Sequence, residues 1–248
     1  MKKLKVIGVI PARYQSSRFP GKPLALIAGK PMIYHVWNQA KKALLLDQLL
    51  VATDDKQIQN VCARLDIQVV MTSEKHETGT DRVAEVAQKV KGDIFVNIQG
   101  DEPLIDPRSI EAVTESILST EVWVTNAYSL IRDRETAASV NVVKVVTDIN
   151  DYALAFSRSL IPHSKDPHQI YKKQLGLYAF TREAIAQFPH LKRQALEITE
   201  SVDMYRFLEH GYKIKMVPVP DEFSVAVDQL EDIQKVEDIL KFRVADLK

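Results

Sequence analysis

The sequence predicts an α/β fold: a mostly parallel, doubly wound sheet with a strand-rich insertion. Short runs rich in Val and Ile alternate with helical patterns through the first half of the chain. These runs lack the polar alternation of a half-exposed strand, and strands buried on both faces are typical of parallel sheets. The length of 248 residues suits one large domain that carries an insertion. The insertion is expected at approximately residues 130–190, where strand patterns crowd together around Pro162 and Pro167.

The individual elements follow from hydrophobic periodicity along the chain. The predicted strands span residues 5–10, 49–53, 68–72, 93–99, 122–128, 142–146, 152–158, 174–180 and 213–219. The predicted helices span residues 31–44, 55–65, 80–90, 107–119, 181–188, 196–210 and 228–241. Asp106 before Pro107 predicts the start of the fourth helix, and Gly211 predicts the end of the sixth. Asp228 with Glu231 predicts a capping box at the start of the last helix.

Charge and cysteine content restrict the possible partners and compartment. Lys plus Arg and Asp plus Glu each number 33, so the formal net charge is zero. Without a basic excess the chain is not expected to bind nucleic acid, and any anion site must be local. Cys62 is the only cysteine, which fits a reducing cytoplasm, and a small helix residue is favoured over a nucleophile. The first apolar run, residues 6–10, is too short for a membrane span or a signal peptide, so no membrane association is expected.

Glycine and histidine spacing excludes several enzyme classes. None of the eight glycines lies in a G-x-G-x-x-G or Walker A pattern, which argues against a dinucleotide-binding oxidoreductase and a P-loop kinase. The six histidines form no H-x-x-x-H pair, so a zinc site is not predicted. A G-x-S-x-G elbow is also absent, so a serine hydrolase of that type is not indicated.

The loop after the first strand carries a concentration of positive charge. Arg13, Arg18 and Lys22 lie within ten residues, and Gly21 allows the backbone to approach a ligand closely. In a doubly wound sheet this loop lies at the carboxyl edge, where such folds bind ligands. Three cations on one short loop suit a triphosphate. The alternative is an ordinary solvated basic loop.

Two acidic positions are candidates for magnesium binding. Asp101 follows the buried strand at 93–99 and is expected to face the same edge as the basic loop. Carboxylate oxygens with water are the ligands that Mg²⁺ prefers. The alternative for Asp101 is a turn residue, and the alternative for Asp228 is a helix N-cap.

Several motifs together resemble one enzyme family. They are PARYQSSRFPGKPL (11–24), AGKPMIYHV (28–36), VATDD (51–55), VMTSEKHETGTDRVAE (70–85), NIQGDEPLI (97–105), VVKVV (142–146), ALAFSR (153–158) and LGLYAF (175–180). This set resembles the cytidylyltransferases that activate 3-deoxy-manno-octulosonic acid (Kdo), whose more distant relatives activate neuraminic acid. The resemblance implies a nucleotide-diphospho-sugar transferase-like fold, CTP and an acidic sugar as substrates, Mg²⁺ as cofactor, and a homodimer joined through the insertion.

The resemblance also implies roles for individual residues. The implied catalytic residues are Arg13, Lys22 and Asp101, and the implied metal ligands are Asp101 and Asp228. The implied nucleotide-binding residues are Pro11, Ala12, Arg13, Ser17, Arg18, Lys22, Thr78, Gly79, Thr80 and Gln99. The implied sugar-binding residues are Arg158, Tyr178, Gln174 and Asp203.

Other interpretations of these positions stay open. Thr80 and Asp81 are equally suited to capping a helix, and Arg82 to lying on a helix surface. Arg158 also fits an ordinary strand end, and Tyr178 a core aromatic residue.

Three positions depart from the family pattern on the sugar side. Gln174 replaces the usual His, and Asp203 and Met204 replace a Glu and a Gln. Met offers neither the donor nor the acceptor of Gln. Alternatives to Kdo are therefore 8-amino-Kdo or a nonulosonic acid. Two further alternatives are transfer from UTP or GTP, and a non-catalytic nucleotide-binding relative.

Overall fold

A computed structural model describes residues 3–15, 19–166, 168–220 and 225–245 of the chain. Its strands are β1 (Val6–Pro11), β2 (Leu26–Ile27), β3 (Lys30–Pro31), β4 (Gln48–Thr53), β5 (Val69–Met71), β6 (Ile94–Ile98), β7 (Val124–Ile131), β8 (Lys144–Thr147), β9 (Ala153–Ser157), β10 (Tyr171–Thr181) and β11 (Ile214–Pro218). Its α-helices are α1 (Met32–Ala40), α2 (Lys56–Arg64), α3 (Gly79–Lys89), α4 (Pro107–Ser119), α5 (Arg134–Ala138), α6 (Arg182–Gln187), α7 (Ala195–Glu200), α8 (Tyr205–Leu208) and α9 (Glu231–Ala245).

The main sheet is mixed but mostly parallel, as predicted. Its strand order is β11-β7-β10-β6-β1-β4-β5. β1 pairs in parallel with β4 and β6, β4 with β5, and β11 with β7. β10 is antiparallel to both of its neighbours, β6 and β7. The carboxyl ends of β1, β4, β5 and β6 therefore meet at one edge of the sheet.

Helices cover both faces of this sheet. On one face Val36 of α1 and Ile110 of α4 join a buried cluster with the strands. On the other face Val83 of α3, Ile185 of α6 and Phe207 of α8 form a second cluster. The unbroken apolar strands are explained by this burial on both sides. The predicted doubly wound α/β class is confirmed.

The predicted helix at 196–210 is wrong as a single helix. Ser201 ends α7 in the left-handed region, with φ at 52°, and α8 starts only at Tyr205. Val202 and Met204 are both buried, whereas in one continuous helix residues two apart would lie on opposite faces. The break therefore lets both of these side chains enter the core.

The helix ends give mixed results. Asp106 caps α4 as predicted, because its carboxylate accepts a hydrogen bond from the backbone N–H of Arg108. The predicted box of Asp228 with Glu231 is wrong, since α9 starts at Glu231. The carboxylate of Asp232 instead accepts hydrogen bonds from the N–H groups of Asp228 and Gln229.

The region of the predicted insertion contains a hairpin beside the main sheet. β8 and β9 pair with each other, and β8 touches β10 through Lys144 and Lys173. A role in dimerisation stays a prediction. Cys62 is fully buried in α2, and burial raises the pKa of its thiol to about 11, which argues against a nucleophile. Among the described helices, none has the length and apolarity that a bilayer crossing requires.

Candidate active site

A polar cleft lies at the carboxyl edge of the sheet, over the ends of β1 and β6. It brings together nine of the residues predicted from the sequence: Pro11, Ala12, Arg13, Lys22, Thr78, Gly79, Gln99, Asp101 and Asp228. Four residues without a predicted role also line it: Pro23, His76, Arg82 and Gly100. Ser17 and Arg18 lie outside the described residues.

Two glycines allow the walls of the cleft to approach each other. A Cβ on Gly100 would lie 2.6 Å from the carbonyl oxygen of Pro11, so a larger residue there would push the ends of β6 and β1 apart. A Cβ on Gly79 would lie 3.2 Å from Cγ of Pro11. The start of α3 is therefore packed directly against the end of the first strand.

The basic loop is folded back on itself by backbone hydrogen bonds. The N–H of Gly21 donates to the carbonyl of Tyr14 at 2.7 Å, and Gly21 adopts a φ of 72° that favours glycine. Lys22 then begins a short 3-10 helix, Lys22–Leu24. Arg13 is exposed, and within the part of the chain that the structure describes it has no ion-pair partner. Its guanidinium is thus available to an anionic ligand.

The two predicted metal ligands converge on the ammonium group of Lys22. Its Nζ lies 2.6 Å from Oδ2 of Asp101 and 3.5 Å from Oδ1 of Asp228. The backbone explains the convergence, because the N–H of Val227 donates to the carbonyl of Asp101 at 2.9 Å. A residue far along the chain is thereby held beside the end of β6.

This donor set fits Mg²⁺. Magnesium in nucleotide enzymes is bound through one or two carboxylates together with substrate phosphates and water. Asp101 and Asp228 supply two carboxylates that already surround a cationic group. Across residues 3–15, 19–166, 168–220 and 225–245, no group of three or more His, Cys, Asp or Glu residues is arranged so that it could hold a metal ion. A site here would depend on the substrate for its remaining oxygen ligands.

The N-terminus of α3 opens onto the cleft. Thr78 is its N-cap: its hydroxyl accepts from the N–H of Asp81 at 3.1 Å, and the Asp81 carboxylate accepts from the N–H of Thr78 at 3.0 Å. The capping box thus uses Thr78 with Asp81. Because free N–H groups and the helix dipole favour negative charge, this end of α3 suits a phosphate or a carbonyl oxygen of a base.

Three of the predicted sugar-binding residues, Tyr178, Gln174 and Asp203, form a second polar group. Thr80, which the sequence predicts to bind nucleotide, is fully buried and does not line the cleft. Its hydroxyl instead donates a hydrogen bond to the Asp203 carboxylate at 3.0 Å. Burial raises the pKa of Asp203, and the hydrogen bond from Thr80 offsets part of that shift. Burial and the charge of Asp203 also raise the pKa of Tyr178, so these two side chains lie near each other. Nε2 of Gln174 lies 3.4 Å from the Tyr178 hydroxyl and donates to Oδ1 of Asn126 at 3.0 Å.

Arg158 is held by backbone carbonyl groups. Its Nε donates to Glu200 at 2.7 Å, Nη1 to Val140 at 3.1 Å and Nη2 to Ser201 at 3.4 Å. A guanidinium has five N–H donors, so two remain beyond these three contacts among the described residues. They are carried by the two terminal nitrogens, and each can donate to an anionic ligand.

Comparison with known proteins identifies the family. A family model described as cytidylyltransferase matches residues 7–214. The 3-deoxy-manno-octulosonate cytidylyltransferase of Geotalea daltonii is 43% identical, over 97% of this chain and 100% of its own length. The chain belongs to this cytidylyltransferase family. The Arabidopsis thaliana member is 40% identical, over 96% of this chain and 84% of its own length.

Solved structures agree with the assignment of this chain to the cytidylyltransferase family. A CMP:2-keto-3-deoxy-manno-octonic acid synthetase, solved with CTP, superimposes with a TM-score of 0.91 at 36% identity, covering 96% of this chain and 99% of the other. A cytidylyltransferase from Leptospira borgpetersenii has a TM-score of 0.66 at 16% identity, covering 97% and 88%, and so shows the fold alone. The resemblance inferred from the motifs is confirmed.

Sequence reasoning missed the place of Arg82 in the cytidylyltransferase cleft. Its side chain is buried, so the alternative of a helix-surface charge is wrong. It donates to Oδ2 of Asp54 at 2.6 Å and to the hydroxyl of Thr72 at 2.8 Å. In the sequence, the feature that could have indicated this pairing is Asp54. It directly follows a buried strand, and a carboxylate in such a place is commonly paired with a cation.

His76 is the second missed residue. Its Nε2 hydrogen-bonds Glu85 while the ring also lines the cleft. Burial alone would raise the pKa of Glu85, but hydrogen bonds from Lys89, the Ser73 N–H and His76 lower it to about 2. Glu85 is therefore a carboxylate across the working pH range and fixes the orientation of the imidazole.

Proposed function

We propose that this cytidylyltransferase transfers CMP from CTP to the anomeric hydroxyl of Kdo or a closely related 3-deoxy-2-ulosonic acid, with Mg²⁺ as cofactor. The observation that carries the proposal is the convergence of Arg13, Lys22, Asp101 and Asp228 on one cleft. The anomeric oxygen bonds to the α-phosphorus, the bond from that phosphorus to the bridging oxygen breaks, and pyrophosphate leaves with the electron pair. The hydroxyl proton passes to solvent.

The nucleotide half of the reaction is supported by the charges around the cleft. Arg13 is exposed and available to the triphosphate, and Lys22 lines the same cleft. When the nucleotide binds, the Lys22 ammonium exchanges a carboxylate partner for phosphate oxygen and so stabilises the leaving group. Asp101 and Asp228 would hold Mg²⁺, which neutralises phosphate charge and lowers the pKa of the attacking hydroxyl.

The sugar half is supported by Arg158 and the group around Tyr178. The guanidinium of Arg158 has two N–H donors left for a sugar carboxylate. The side chains of Asp203, Gln174 and Tyr178 carry polar groups of the kind that hydrogen-bond the hydroxyls of an ulosonic acid.

A second candidate substrate is an acidic sugar other than Kdo. Met204 is fully buried in the core, so its position supplies no polar contact to a ligand. Losing one such contact costs on the order of 1 kcal/mol, which would favour a sugar that differs at one hydroxyl. 8-Amino-Kdo and nonulosonic acids are the members of this class to compare.

The decisive experiment measures pyrophosphate release with Mg²⁺ across a panel of sugars and nucleotides. CTP should be used at least roughly a hundredfold better than UTP, GTP or ATP. Asp101→Asn should nearly abolish turnover. Asp106→Asn is the matched control, because Asp106 caps α4 outside the cleft and Asn is an equally good N-cap. Near wild-type release by Asp101→Asn or Lys22→Ala would show the assignment to be wrong.

We also propose that the protein acts as a homodimer in the cytoplasm. Several apolar side chains of the strand-rich segment are exposed: Leu130, Val140, Leu154 and Ile170. Sedimentation should give twice the chain mass for the wild type and the monomer mass for Leu154→Asp. A monomeric wild type would rule the dimer out. The buried, single Cys62 supports a reducing compartment.

A further inference from the structure

The side chain of Gln99, just after β6, lies over Gly176 of the neighbouring strand β10. A Cβ on Gly176 would lie 2.4 Å from Cγ of Gln99 and 3.0 Å from its Cδ and Nε2. The nearest atom is Cγ, which lies before the carboxamide in the Gln99 side chain. The clash therefore cannot be relieved by moving the carboxamide alone. Gly176 lacks the positive φ that would itself require glycine. Space for Gln99 is therefore the reason that this position excludes a side chain.

The sheet register sets these two residues opposite each other. Leu177 of β10 pairs with Ile98 of β6, which places Gly176 directly across from Gln99. Side chains that face each other across antiparallel strands share one side of the sheet. The pairing of β10 with β7 also shifts register between Gln174 and Tyr178, a span that includes Gly176.

On its other side Gln99 faces the cleft, together with Lys22 and Asp101. We infer that Gly176 is a positioning residue: its missing side chain lets Gln99 lie over β10 and present its carboxamide to the nucleotide. This inference rests on the proposed function, in which the cleft binds CTP.

Gly92 offers a matched control. A Cβ there would lie 2.4 Å from Cγ1 of Ile7, the same distance as at Gly176. Gly92 precedes β6, at the opposite end of that strand from the cleft, and its clash is with the apolar core. Alanine at either position brings its Cβ equally close to the nearest side-chain atom, but only Gly176→Ala obstructs Gln99.

The test is a double-mutant cycle of Gly176→Ala and Gln99→Ala, read as kcat/KM for CTP. Gly176→Ala should lower kcat/KM roughly ten- to a hundredfold, because a displaced ligand-contacting group has effects of that size. In the Gln99→Ala background the same substitution should cost less than about threefold, since the obstructed Cγ is gone. Gly92→Ala should lower the melting temperature and leave kcat/KM within about twofold of wild type. Equal losses in both backgrounds would overturn the inference, as would a loss with Gly92→Ala as large as that with Gly176→Ala.

A crystal structure of Gly176→Ala separates this inference from the proposed function. Gln99 should adopt a different χ1 rotamer and withdraw from the cleft. An unmoved Gln99, with β10 displaced instead, would refute the positioning role. If the wild-type enzyme ignored CTP, the proposed function would fail, while the position of Gln99 in the variant would still decide the inference.

Discussion

Replacing Arg206 by Met should strongly destabilise the fold. Arg206 is 4% exposed, and Nη2 lies 2.6 Å from Oε1 of Glu197, which is 1% exposed. Nη1 also donates to Asp81 at 3.1 Å. Removing one partner of a buried ion pair costs about 3–5 kcal/mol, because the other charge is left buried without compensation.

For Arg206→Met we expect a loss of stability near the lower end of this range of about 3–5 kcal/mol. Nε of Arg193 lies 3.1 Å from Glu197, so a second cation stays near that carboxylate. The side chain of Arg193 is 39% exposed, and solvent screens its contribution. We expect a loss of about 3 kcal/mol in the free energy of unfolding, which for a chain of this size lowers the melting temperature by about 6–12 °C.

Urea unfolding followed by circular dichroism, at one fixed protein concentration, measures this loss. The control is the double variant with Met at both Arg206 and Glu197, which should recover part of the stability because the fully buried Glu197 carboxylate is no longer left without Arg206. A loss below about 1 kcal/mol for Arg206→Met, or a double variant less stable than the single one, would refute the reasoning.

Three further predictions concern the cleft and its surroundings. Lys22→Met should lower kcat at least roughly a hundredfold and, without CTP, tighten Mn²⁺ binding measured by electron paramagnetic resonance, because no ammonium competes for Asp101 and Asp228; unchanged Mn²⁺ affinity would contradict this. The pKa of Glu85 is lowered from 4.5 to about 2 in the folded protein. The charged carboxylate therefore stabilises the fold by about 3 kcal/mol above pH 4.5, and this stabilisation is lost as the pH falls toward 2. Glu85→Gln should therefore destabilise strongly near pH 7 and less than half as much near pH 3, and an equal effect at both pH values would refute it. Arg158→Lys should raise KM for the sugar and leave KM for CTP unchanged, since an ammonium cannot replace the planar fork; parallel rises in both KM values would count against the assigned role.

Local patterns were sufficient to predict most of the sheet and most of the described residues that line the cleft. β1, β4 and β6 are buried on both faces, so each appears in the sequence as a continuous apolar run with clear ends. Residues placed directly after such runs, such as Arg13 and Asp101, necessarily lie at the carboxyl edge. Arg13 and Asp101 converge with Lys22 because of the sheet topology, which the hydrophobic pattern of the sequence is sufficient to indicate.

Features that depend on contacts between distant segments were not predictable in this way. The division of the helix at 196–210 arises because Val202 and Met204 both find space in the core, which no local pattern reveals. Arg82 has the sequence position of a helix-surface charge, and its burial depends on Asp54, which follows β4 and is distant along the chain. The position of Asp228 before α9 depends on the hydrogen bond between Val227 and Asp101.

The place of β10 in the sheet has a consequence for synthesis of the chain. β6 and β7 are made well before β10, yet each forms one of its hydrogen-bonded edges only with β10. A nascent chain that has emerged as far as residue 170 therefore exposes one unpaired edge of β6 and both edges of β7, because β11 has not been made either. Such edges can pair with other chains, so chaperone protection during translation should matter most in this interval.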